Sequence, residues 1–211
     1  MLKSDVFDIW ANEYDNEVKL TDEKEEFPFA GYKIMMDTIY STVMEKSPTT
    51  ILDIGIGTGV LALRLYEGGN AITGVDFSNE MLSISKPKMP NAKFYQYNFA
   101  EGLPPEIKET KYDFIVSTYA LHHLTDSLKV TLIKLLLNHL NENGLIMIGD
   151  ISFQTRDKLE VCKKETNPDD WDDDEYFFVF SEISQELKDN CFVSYKQISY
   201  CGGIMEIKKR S

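Results

Sequence analysis

The feature that most constrains this fold is a glycine-rich turn that joins a β-rich run to a segment with helical periodicity. Thr50–Ile54 is the β-rich run, and residues 60–66 carry apolar side chains at helical spacing. Three glycines, Gly55, Gly57 and Gly59, lie between the two segments. Glycines let a backbone turn sharply and approach a ligand closely where a strand leads into a helix. The segment therefore predicts a strand–turn–helix unit with a ligand at the turn.

Strand and helix patterns continue to alternate along the chain. Short apolar runs predict further strands at residues 71–75, 93–97, 114–117 and 145–151. One helix is predicted to begin after Ser78 as its N-cap, and another to cover residues 126–140 and to break at Gly144. Continuous apolar runs are typical of strands that are buried on both faces of a parallel sheet. The alternation predicts a doubly wound α/β sheet.

The two ends of the chain differ from this central part. Residues 1–48 are expected to form an N-terminal helical cap that includes a helix over Tyr32–Met44, and residues 49–152 to form the ligand-binding core. Residues 153–211 predict a lid segment, a helix at residues 181–190, and two strands at residues 192–200 and 204–208 around a glycine turn. We therefore predict one Rossmann-like domain, with a seven-stranded, mostly parallel sheet and an antiparallel C-terminal hairpin.

Charge and cysteine content limit the partners and the compartment. The chain has 211 residues, with 22 Lys and Arg against 35 Asp and Glu, and its net charge is −13. Phosphate contacts need clustered Lys and Arg, so we expect neither nucleic acid nor an anionic membrane as a partner. No apolar run approaches the roughly 18 residues of a membrane helix, and no signal-peptide pattern is expected. Three cysteines without a CxxC pair indicate a reducing, cytoplasmic location.

An acidic residue at the end of the second strand narrows the class of ligand. Asp76 lies 17 residues after Gly59, where a carboxylate can accept hydrogen bonds from both ribose hydroxyls of a nucleoside. A dinucleotide site requires a third glycine where this chain has Val60, and Asp53 beside the turn suits an amino group better than a pyrophosphate. No Gly-Lys-Ser/Thr follows, so a Walker phosphate loop is excluded. A nicotinamide-dependent oxidoreductase and a purely structural turn stay open as weaker alternatives.

Four segments, in order, resemble the motifs of the class I S-adenosylmethionine-dependent methyltransferases. Residues 53–59, DIGIGTG, are similar to the first motif, and residues 74–78, GVDFS, with Met81 are similar to the segment that binds ribose and adenine. Residues 112–117, YDFIVS, and 140–145, LNENGL, resemble the fourth- and fifth-strand motifs. Residues 7–15, FDIWANEYD, and 117–126, STYALHHLTD, resemble the small bacterial YrrT-like methyltransferases.

The resemblance implies S-adenosyl-L-methionine as the cofactor. Asp53 would lie near its amino group, the glycines along its methionine part, and Asp76 at its ribose hydroxyls. Many relatives carry an acid that faces adenine after the third strand, where this chain has Asn98, whose amide can both donate and accept. The implied cofactor-binding residues are Asp53, Gly55, Gly57, Gly59, Asp76, Phe77, Met81, Asn98, Phe99 and Ser117.

Two adjacent histidines after the fourth strand are the candidates for a catalytic base. Methyl transfer from a sulfonium needs no general acid, but an acceptor that carries a proton benefits from a base, and His122 or His123 would serve near neutral pH. The alternative is that one histidine packs under the following helix and the other is solvated. Neighbouring side chains usually point apart, so we predict no metal site here. Tyr14 would either close over the cofactor or pack its helix on the sheet.

The acidic segment at residues 167–175, NPDDWDDDE, is interpreted as a solvated loop or as part of an acceptor lid. An acidic lid, with Trp171 and residues 176–180 as an apolar wall, would favour a neutral or cationic acceptor over a phosphorylated one. We predict an enzyme that transfers a methyl group from S-adenosylmethionine to a small-molecule acceptor, largely by proximity and alignment. The alternative is a non-catalytic protein that binds S-adenosylmethionine or S-adenosylhomocysteine.

Overall fold

Strands and helices alternate along the part of the chain that the computed structural model describes, which comprises Thr21, Lys24 and residues 26–210. From residue 32 onward the helices are α1 (Tyr32–Met44), α2 (Val60–Glu67), α3 (Asn79–Ser85), α4 (Asp126–Leu137), α5 (Arg156–Glu165) and α6 (Phe180–Leu187). The strands are β1 (Thr50–Ile54), β2 (Ala71–Asp76), β3 (Lys93–Gln96), β4 (Tyr112–Thr118), β5 (Leu140–Phe153), β6 (Phe178–Val179), β7 (Cys191–Gln197) and β8 (Gly202–Lys209). Within these residues no helix combines the length and the apolar character that crossing a membrane requires.

The strand order confirms the predicted doubly wound α/β fold. The order is β3-β2-β1-β4-β5-β8-β7, and the two-residue strand β6 pairs with β5 beside this path. Neighbouring strands from β3 to β5 are parallel, whereas β8 is antiparallel to both β5 and β7. The order reverses between β1 and β4, and ligands of open α/β sheets bind at such a switch point, outside the carboxyl ends of the strands.

Two apolar layers cover the two faces of the sheet. Side chains of consecutive strand residues point to opposite faces. Accordingly, Ile51 packs in the layer that contains Met35 of α1, whereas Leu52 packs in the layer that contains Ile133 of α4. All four side chains are fully buried. Because both faces are covered, the ends of the strands are the parts of the sheet left to bind a ligand.

The junction between α4 and β5 differs from the sequence prediction. Helix α4 ends at Leu137 rather than at residue 140, and β5 begins at Leu140 rather than at residue 145. Tyr112 N donates to His139 O at 2.8 Å, and Leu140 pairs with Tyr112. The backbone at these two residues, which the helical pattern assigned to the helix, is therefore bonded to the sheet. Gly144 therefore lies inside a strand and does not end the helix.

The predicted C-terminal hairpin is present, but its turn lies before the two glycines. The backbone N–H groups of Ile198 and Ser199 donate to Gly202 O at 2.9 and 3.0 Å, so the turn comprises residues 198–201. Gly203 lies within β8, where a Cβ atom would be 2.4 Å from Tyr195 Oη. The glycine at position 203 therefore makes room for a tyrosine of the neighbouring strand and does not form the turn.

Candidate active site

A cleft of about 1710 Å³ opens at the switch point, outside the carboxyl ends of β1, β2 and β4. Its walls come from the glycine turn after β1, the end of β2, the turn after β4, residues 26–29 and residues 165–176. Ligand pockets usually measure about 300–1,000 Å³. The cleft therefore has room for two ligands side by side, a cofactor and an acceptor.

The glycine turn brings the backbone against the cleft. Gly55 has a φ of 72°, and a Cβ atom there would lie 2.4 Å from Cβ of Ala120, so a larger residue does not fit. Gly57 has a φ of 55°, and its Cβ position is open, with no atom of the described residues within 4 Å. Gly59 faces Met89 instead and does not line the described cleft. Two of the three predicted glycines thus border the ligand space.

Asp53 is a buried acid in the wall of the cleft. Its side chain is 3% exposed, and its Oδ1 has no hydrogen-bond partner among the described residues. Burial and the charge of Asp76 together raise the pKa of Asp53 to about 8. A buried carboxyl group with an oxygen that lacks a partner among the described residues favours a cationic partner. Asp53 therefore fits the ammonium group of a ligand that ends in an amino acid.

Asp76 ends β2 and is anchored by the turn that it faces. Its Oδ2 accepts from Gly57 N at 2.8 Å, and its Oδ1 accepts from Ser78 N at 2.9 Å. Each carboxylate oxygen has a second lone pair, so both can also accept from ribose hydroxyls. The two backbone bonds hold the carboxylate in place, as the predicted ribose contact requires. Ser78 also caps α3 as predicted, because its Oγ accepts from Met81 N at 3.2 Å.

Apolar side chains form the next part of the wall. The rings of Phe77 and Phe99 pack edge to face, with centroids 6.3 Å apart. Met81 lines the cleft beside them and is buried. The resemblance assigns Phe77 and Met81 to the adenine end and includes Phe99 among the cofactor-binding residues. The structure brings them together on the side of the cleft next to Asp76.

Asn98 lines the cleft where many relatives carry an acid. Its amide caps the short 3₁₀ turn Phe99–Glu101, because Oδ1 accepts from Ala100 N at 3.0 Å and Nδ2 donates to Glu101 Oε1 at 3.1 Å. One lone pair and one N–H are left over on the amide. Adenine recognition by Asn98 therefore stays a prediction that the geometry permits.

Ser117 does not line the cleft either, and the position of Tyr14 is not described. Ser117 is buried in the sheet, and its hydroxyl donates to Ile54 O at 2.7 Å, which ties β4 to β1. Tyr14 lies outside the described residues, so its predicted role over the cofactor stays a prediction.

His122 and His123 lie on the 3₁₀ turn Leu121–His123, directly after β4. Their ring centroids are 4.1 Å apart, and Glu175 Oε1 lies 3.5 Å from His122 Nε2 and 3.5 Å from His123 Nδ1. The other nitrogen of His122, Nδ1, is 2.6 Å from Asp150 Oδ1. The expectation that the two neighbouring rings point apart is therefore wrong. Both rings turn toward one carboxylate, which a separate segment of the chain contributes.

Asp150, three residues before the end of β5, holds this turn in place. Its Oδ2 accepts from the backbone N–H groups of Leu121 and His122 at 3.0 and 3.2 Å, and its Oδ1 accepts from Ile151 N at 2.8 Å. The carboxylate is fully buried. These bonds fix the position of the carboxylate against the imidazole of His122, and they join the carboxyl ends of β4 and β5.

Comparison with known proteins assigns the family. A profile described as a methyltransferase domain matches residues 51–144. An uncharacterised methyltransferase of Geobacillus thermodenitrificans is 33% identical over 216 residues, which is 98% of this chain and 97% of that protein. Another, of Oceanobacillus iheyensis, is 32% identical over 212 residues, which is 97% of this chain and 96% of that protein. The chain belongs to the class I S-adenosylmethionine-dependent methyltransferases.

Solved methyltransferase structures share this fold at low sequence identity. The complex of DhpI with S-adenosylhomocysteine has a TM-score of 0.71 and 14% identity, over 98% of this chain and 94% of that chain. Magnesium protoporphyrin IX methyltransferase of Synechocystis, with bound S-adenosylhomocysteine, has a TM-score of 0.69 and 20% identity, over 87% of this chain and 85% of that chain. The cofactor of this methyltransferase is S-adenosylmethionine. The family assignment also excludes the two weaker alternatives, a nicotinamide-dependent oxidoreductase and a glycine turn with a purely structural role.

The histidine cluster of this methyltransferase has divergent pKa values. Burial lowers the pKa of His122, but the charge and hydrogen bond of Asp150 and the charge of Glu175 outweigh it, so the net shift is upward. Burial and the neighbouring His122 lower the pKa of His123 to about 3. Burial also raises the pKa of Glu175. The two adjacent rings therefore have opposite preferences for a proton.

Two residues of this site were missed in the sequence. Asp150 lies near the carboxyl end of the predicted fifth strand, and Asp76 directly follows the predicted second strand, so an acid near a strand end was a usable signal. Glu175 carried no such signal, because it is one of six acids in residues 167–175 and the strand that follows it, β6, has only two residues. Its place in the site depends on contacts between distant segments.

Aromatic side chains form the remaining wall of the methyltransferase cleft. Tyr119 lies 5.1 Å from Phe29 and 5.4 Å from Tyr32, measured between ring centroids. Phe27 stacks on Trp171 of the acidic segment, with centroids 5.2 Å apart and an interplanar angle of 16°. The segment before α1 and the acidic segment therefore contact each other at the cleft.

Proposed function

We propose that this methyltransferase acts on a small-molecule acceptor, bound between the aromatic wall and the histidine cluster. The observation that supports this is the stacking of Phe27 on Trp171, because it joins the two segments that line the acceptor side of the cleft. A space bounded by two segments that contact each other suits a small molecule better than a polymer, which needs a long groove. Tyr32 and Tyr119 line the same space and would exclude water from it.

The chain contributes alignment more than proton chemistry to this reaction. When bound, S-adenosylmethionine supplies a methyl group on a sulfonium, whose leaving thioether is neutral. We assign Asp53 to the amino group of the cofactor and Asp76 to its ribose, and these two contacts would hold the cofactor in place in the cleft. Positioning of this kind supplies much of the acceleration of a displacement reaction. An acceptor that carries a proton would lose it at the cluster of His122, His123 and Glu175.

Carboxylates along the cleft support a neutral or cationic acceptor. Five acids of residues 165–174 line the cleft, namely Glu165, Asp169, Asp170, Asp172 and Asp174. An anionic acceptor such as a phosphate ester would be repelled by these charges, and like-charge contacts oppose binding. We therefore expect amines, thiols or neutral hydroxyl compounds among the acceptors.

The proposal is tested by following a radioactive methyl group. The protein is incubated with methyl-labelled S-adenosylmethionine and, separately, with low-mass amines, thiols, alcohols and phosphate esters, with mixed protein and with mixed RNA. We expect label in a low-mass product of an uncharged or cationic acceptor. Label that precipitates with protein or RNA, and that is absent from every low-mass acceptor, would contradict the proposal.

The variant Asp76→Ala is the negative control for this experiment. Without the carboxylate that faces the ribose, cofactor binding should weaken and the label transfer should disappear. Calorimetric titration with S-adenosylmethionine, S-adenosylhomocysteine and NAD checks this separately. Binding of both sulfur ligands to the wild type, a loss in Asp76→Ala and no binding of NAD are expected.

A further inference from the structure

We propose that His122, His123 and Glu175 form a binding site for a divalent metal ion of the Zn²⁺ type, at the acceptor side of the cleft. One ligand atom of each residue lies within 4.8 Å of the other two. Imidazole nitrogen and carboxylate oxygen are ordinary zinc ligands, and a site with two histidines and one glutamate is typical of catalytic zinc. The cluster is therefore chemically suited to hold such an ion.

The distances support a shared ion better than direct hydrogen bonds. Glu175 Oε1 is 3.5 Å from His122 Nε2 and 3.5 Å from His123 Nδ1. Direct N–H···O bonds usually measure about 2.7–3.2 Å. Two ligands of a tetrahedral zinc ion, each about 2.0–2.1 Å from the metal, lie about 3.3–3.4 Å apart. The observed separations are close to those of two edges of such a tetrahedron.

The surroundings of His122 are those of a metal ligand. Histidines that bind metals almost always donate their second ring N–H to a carboxylate or carbonyl, which fixes the tautomer and the ring orientation. Here Asp150 Oδ1 is 2.6 Å from His122 Nδ1, and three backbone N–H groups hold that carboxylate. The arrangement leaves Nε2 of His122 directed toward Glu175.

Backbone and side-chain contacts also hold Glu175 at the cluster. Tyr176 N donates to His122 O at 2.7 Å, which ties the segment of Glu175 to the histidine turn. The buried ammonium of Lys129 donates to Tyr176 O and to Asp126 Oδ1, the latter at 2.9 Å. The three proposed ligands are 7%, 18% and 21% exposed at the side chain, for His122, His123 and Glu175. The cluster is thus positioned by the fold and sheltered from solvent.

Three protein ligands leave a fourth position on a tetrahedral ion. Because all three side chains line the cleft, a ligand in the acceptor space can reach that position. With the metal bound, the ion would replace the cluster as the group that assists proton loss: a thiol or hydroxyl group of the acceptor would bind there and lose its proton to solvent more easily, since a bound cation favours the anionic form. This use of the metal rests on the proposed function, whereas metal binding itself does not.

The test is a titration of chelator-treated protein with ZnCl₂, by calorimetry and by competition with a chromophoric chelator. We expect one Zn²⁺ to bind per chain. Asp150→Asn should weaken the binding about 10–100-fold, as loss of an outer-shell partner does elsewhere, and His123→Ala and Glu175→Gln should weaken it further. Asp174→Asn is the matched control, because it removes the neighbouring negative charge without removing a ligand, and it should bind zinc as the wild type does.

Binding of S-adenosylhomocysteine, measured on every variant, separates the two proposals. A variant that retains this binding is folded at the cofactor end, so its loss of zinc reports on the cluster. Wild-type protein that binds S-adenosylhomocysteine but no zinc would overturn the metal site and leave the proposed function intact. Equal zinc affinity in Glu175→Gln and the wild type would also overturn it. Cys162, Cys191 and Cys201 are all buried, so a thiolate site does not compete at the surface.

Discussion

Asp53 is the residue whose burial most clearly serves the ligand rather than the fold. It is buried, its Oδ1 has no hydrogen-bond partner within the part of the chain that the structure describes, and its pKa is raised to about 8 from 3.8 by burial and by Asp76. Between these two pH values the folded protein holds a proton that the unfolded chain has lost. The free energy of unfolding of the ligand-free protein therefore decreases as the pH rises through this window.

Asp53→Asn should remove this pH dependence. One proton bound only by the folded state changes the free energy of unfolding by at most about 1.4 kcal/mol per pH unit. The variant lacks this contribution, so its stability relative to the wild type should increase from pH 5 to pH 8 and then level off. Urea unfolding at each pH measures the difference. Asp189→Asn, at an exposed position, is the control and should parallel the wild type.

Parallel stability profiles for Asp53→Asn and the wild type would contradict the role given to the buried carboxyl group. The same variant should bind S-adenosylhomocysteine more weakly, because an amide does not attract the ammonium group as a carboxylate does. We therefore expect Asp53→Asn to gain stability relative to the wild type and to lose affinity for S-adenosylhomocysteine, as is typical of a residue that serves ligand binding at a cost in stability.

At the scale of elements, helix α1 is placed by a glycine on strand β5. A Cβ atom on Gly149 would lie 2.7 Å from Met35 Sδ and 3.0 Å from Ile39 Cδ1. Both side chains are fully buried, so neither can move into solvent. The helix also carries Tyr32 and Met36, which line the cleft. The close approach of α1 to β5 therefore positions part of the acceptor wall.

Gly149→Ala should destabilise the protein by overpacking at this contact. Insertion of a methyl group into a packed core typically costs about 1–3 kcal/mol. Denaturant unfolding measures the loss, and a double-mutant cycle with Met35→Ala identifies its cause. In the Met35→Ala background most of the cost of Gly149→Ala should disappear, because the two shortest contacts, 2.7 and 2.9 Å to Met35, are gone and only the 3.0 Å contact with Ile39 is left. An unchanged cost in that background would mean that the clash with Met35 is not responsible.

At the scale of the whole molecule, the cleft joins segments that are distant in sequence. The glycine turn, the end of β2, the histidine turn and the acidic segment all contribute to its walls. A ligand that contacts several of these segments binds the folded state and not the unfolded chain. Its binding free energy therefore adds to the stability of the entire domain.

S-adenosylhomocysteine should raise the melting temperature substantially. At about 100 times its Kd a ligand adds about 2.7 kcal/mol, which for a chain of this size corresponds to about 5–10 °C. Differential scanning calorimetry with and without the ligand measures the shift. Asp76→Ala at the same ligand concentration should show little or no shift. A wild-type protein whose melting temperature is unaffected by saturating S-adenosylhomocysteine would contradict the cofactor site described above.

Much of the fold was predictable because its signals are local. The helix over Tyr32–Met44, the strand Thr50–Ile54 and the cap at Ser78 appear where the sequence predicts them. Each depends on a few consecutive residues: an apolar period, a β-rich run, or a side chain that caps its own helix. The end of α4 was predicted wrongly, because a strand 28 residues earlier, through Tyr112, pairs with Leu140 and stops the helix.

The sequence by itself determined the α/β fold, the glycine turn and Asp76, and hence the family and its cofactor. These features depend on short segments in a fixed order, and a turn with positive φ angles favours glycine. Only the tertiary structure brought Glu175 to His122 and His123, and Asp150 to the back of His122. The pairing of β6 with β5 and the hydrogen bond from Tyr176 N to His122 O form that cluster. Both are contacts between distant segments, and neither segment has a local sequence pattern that predicts its partner.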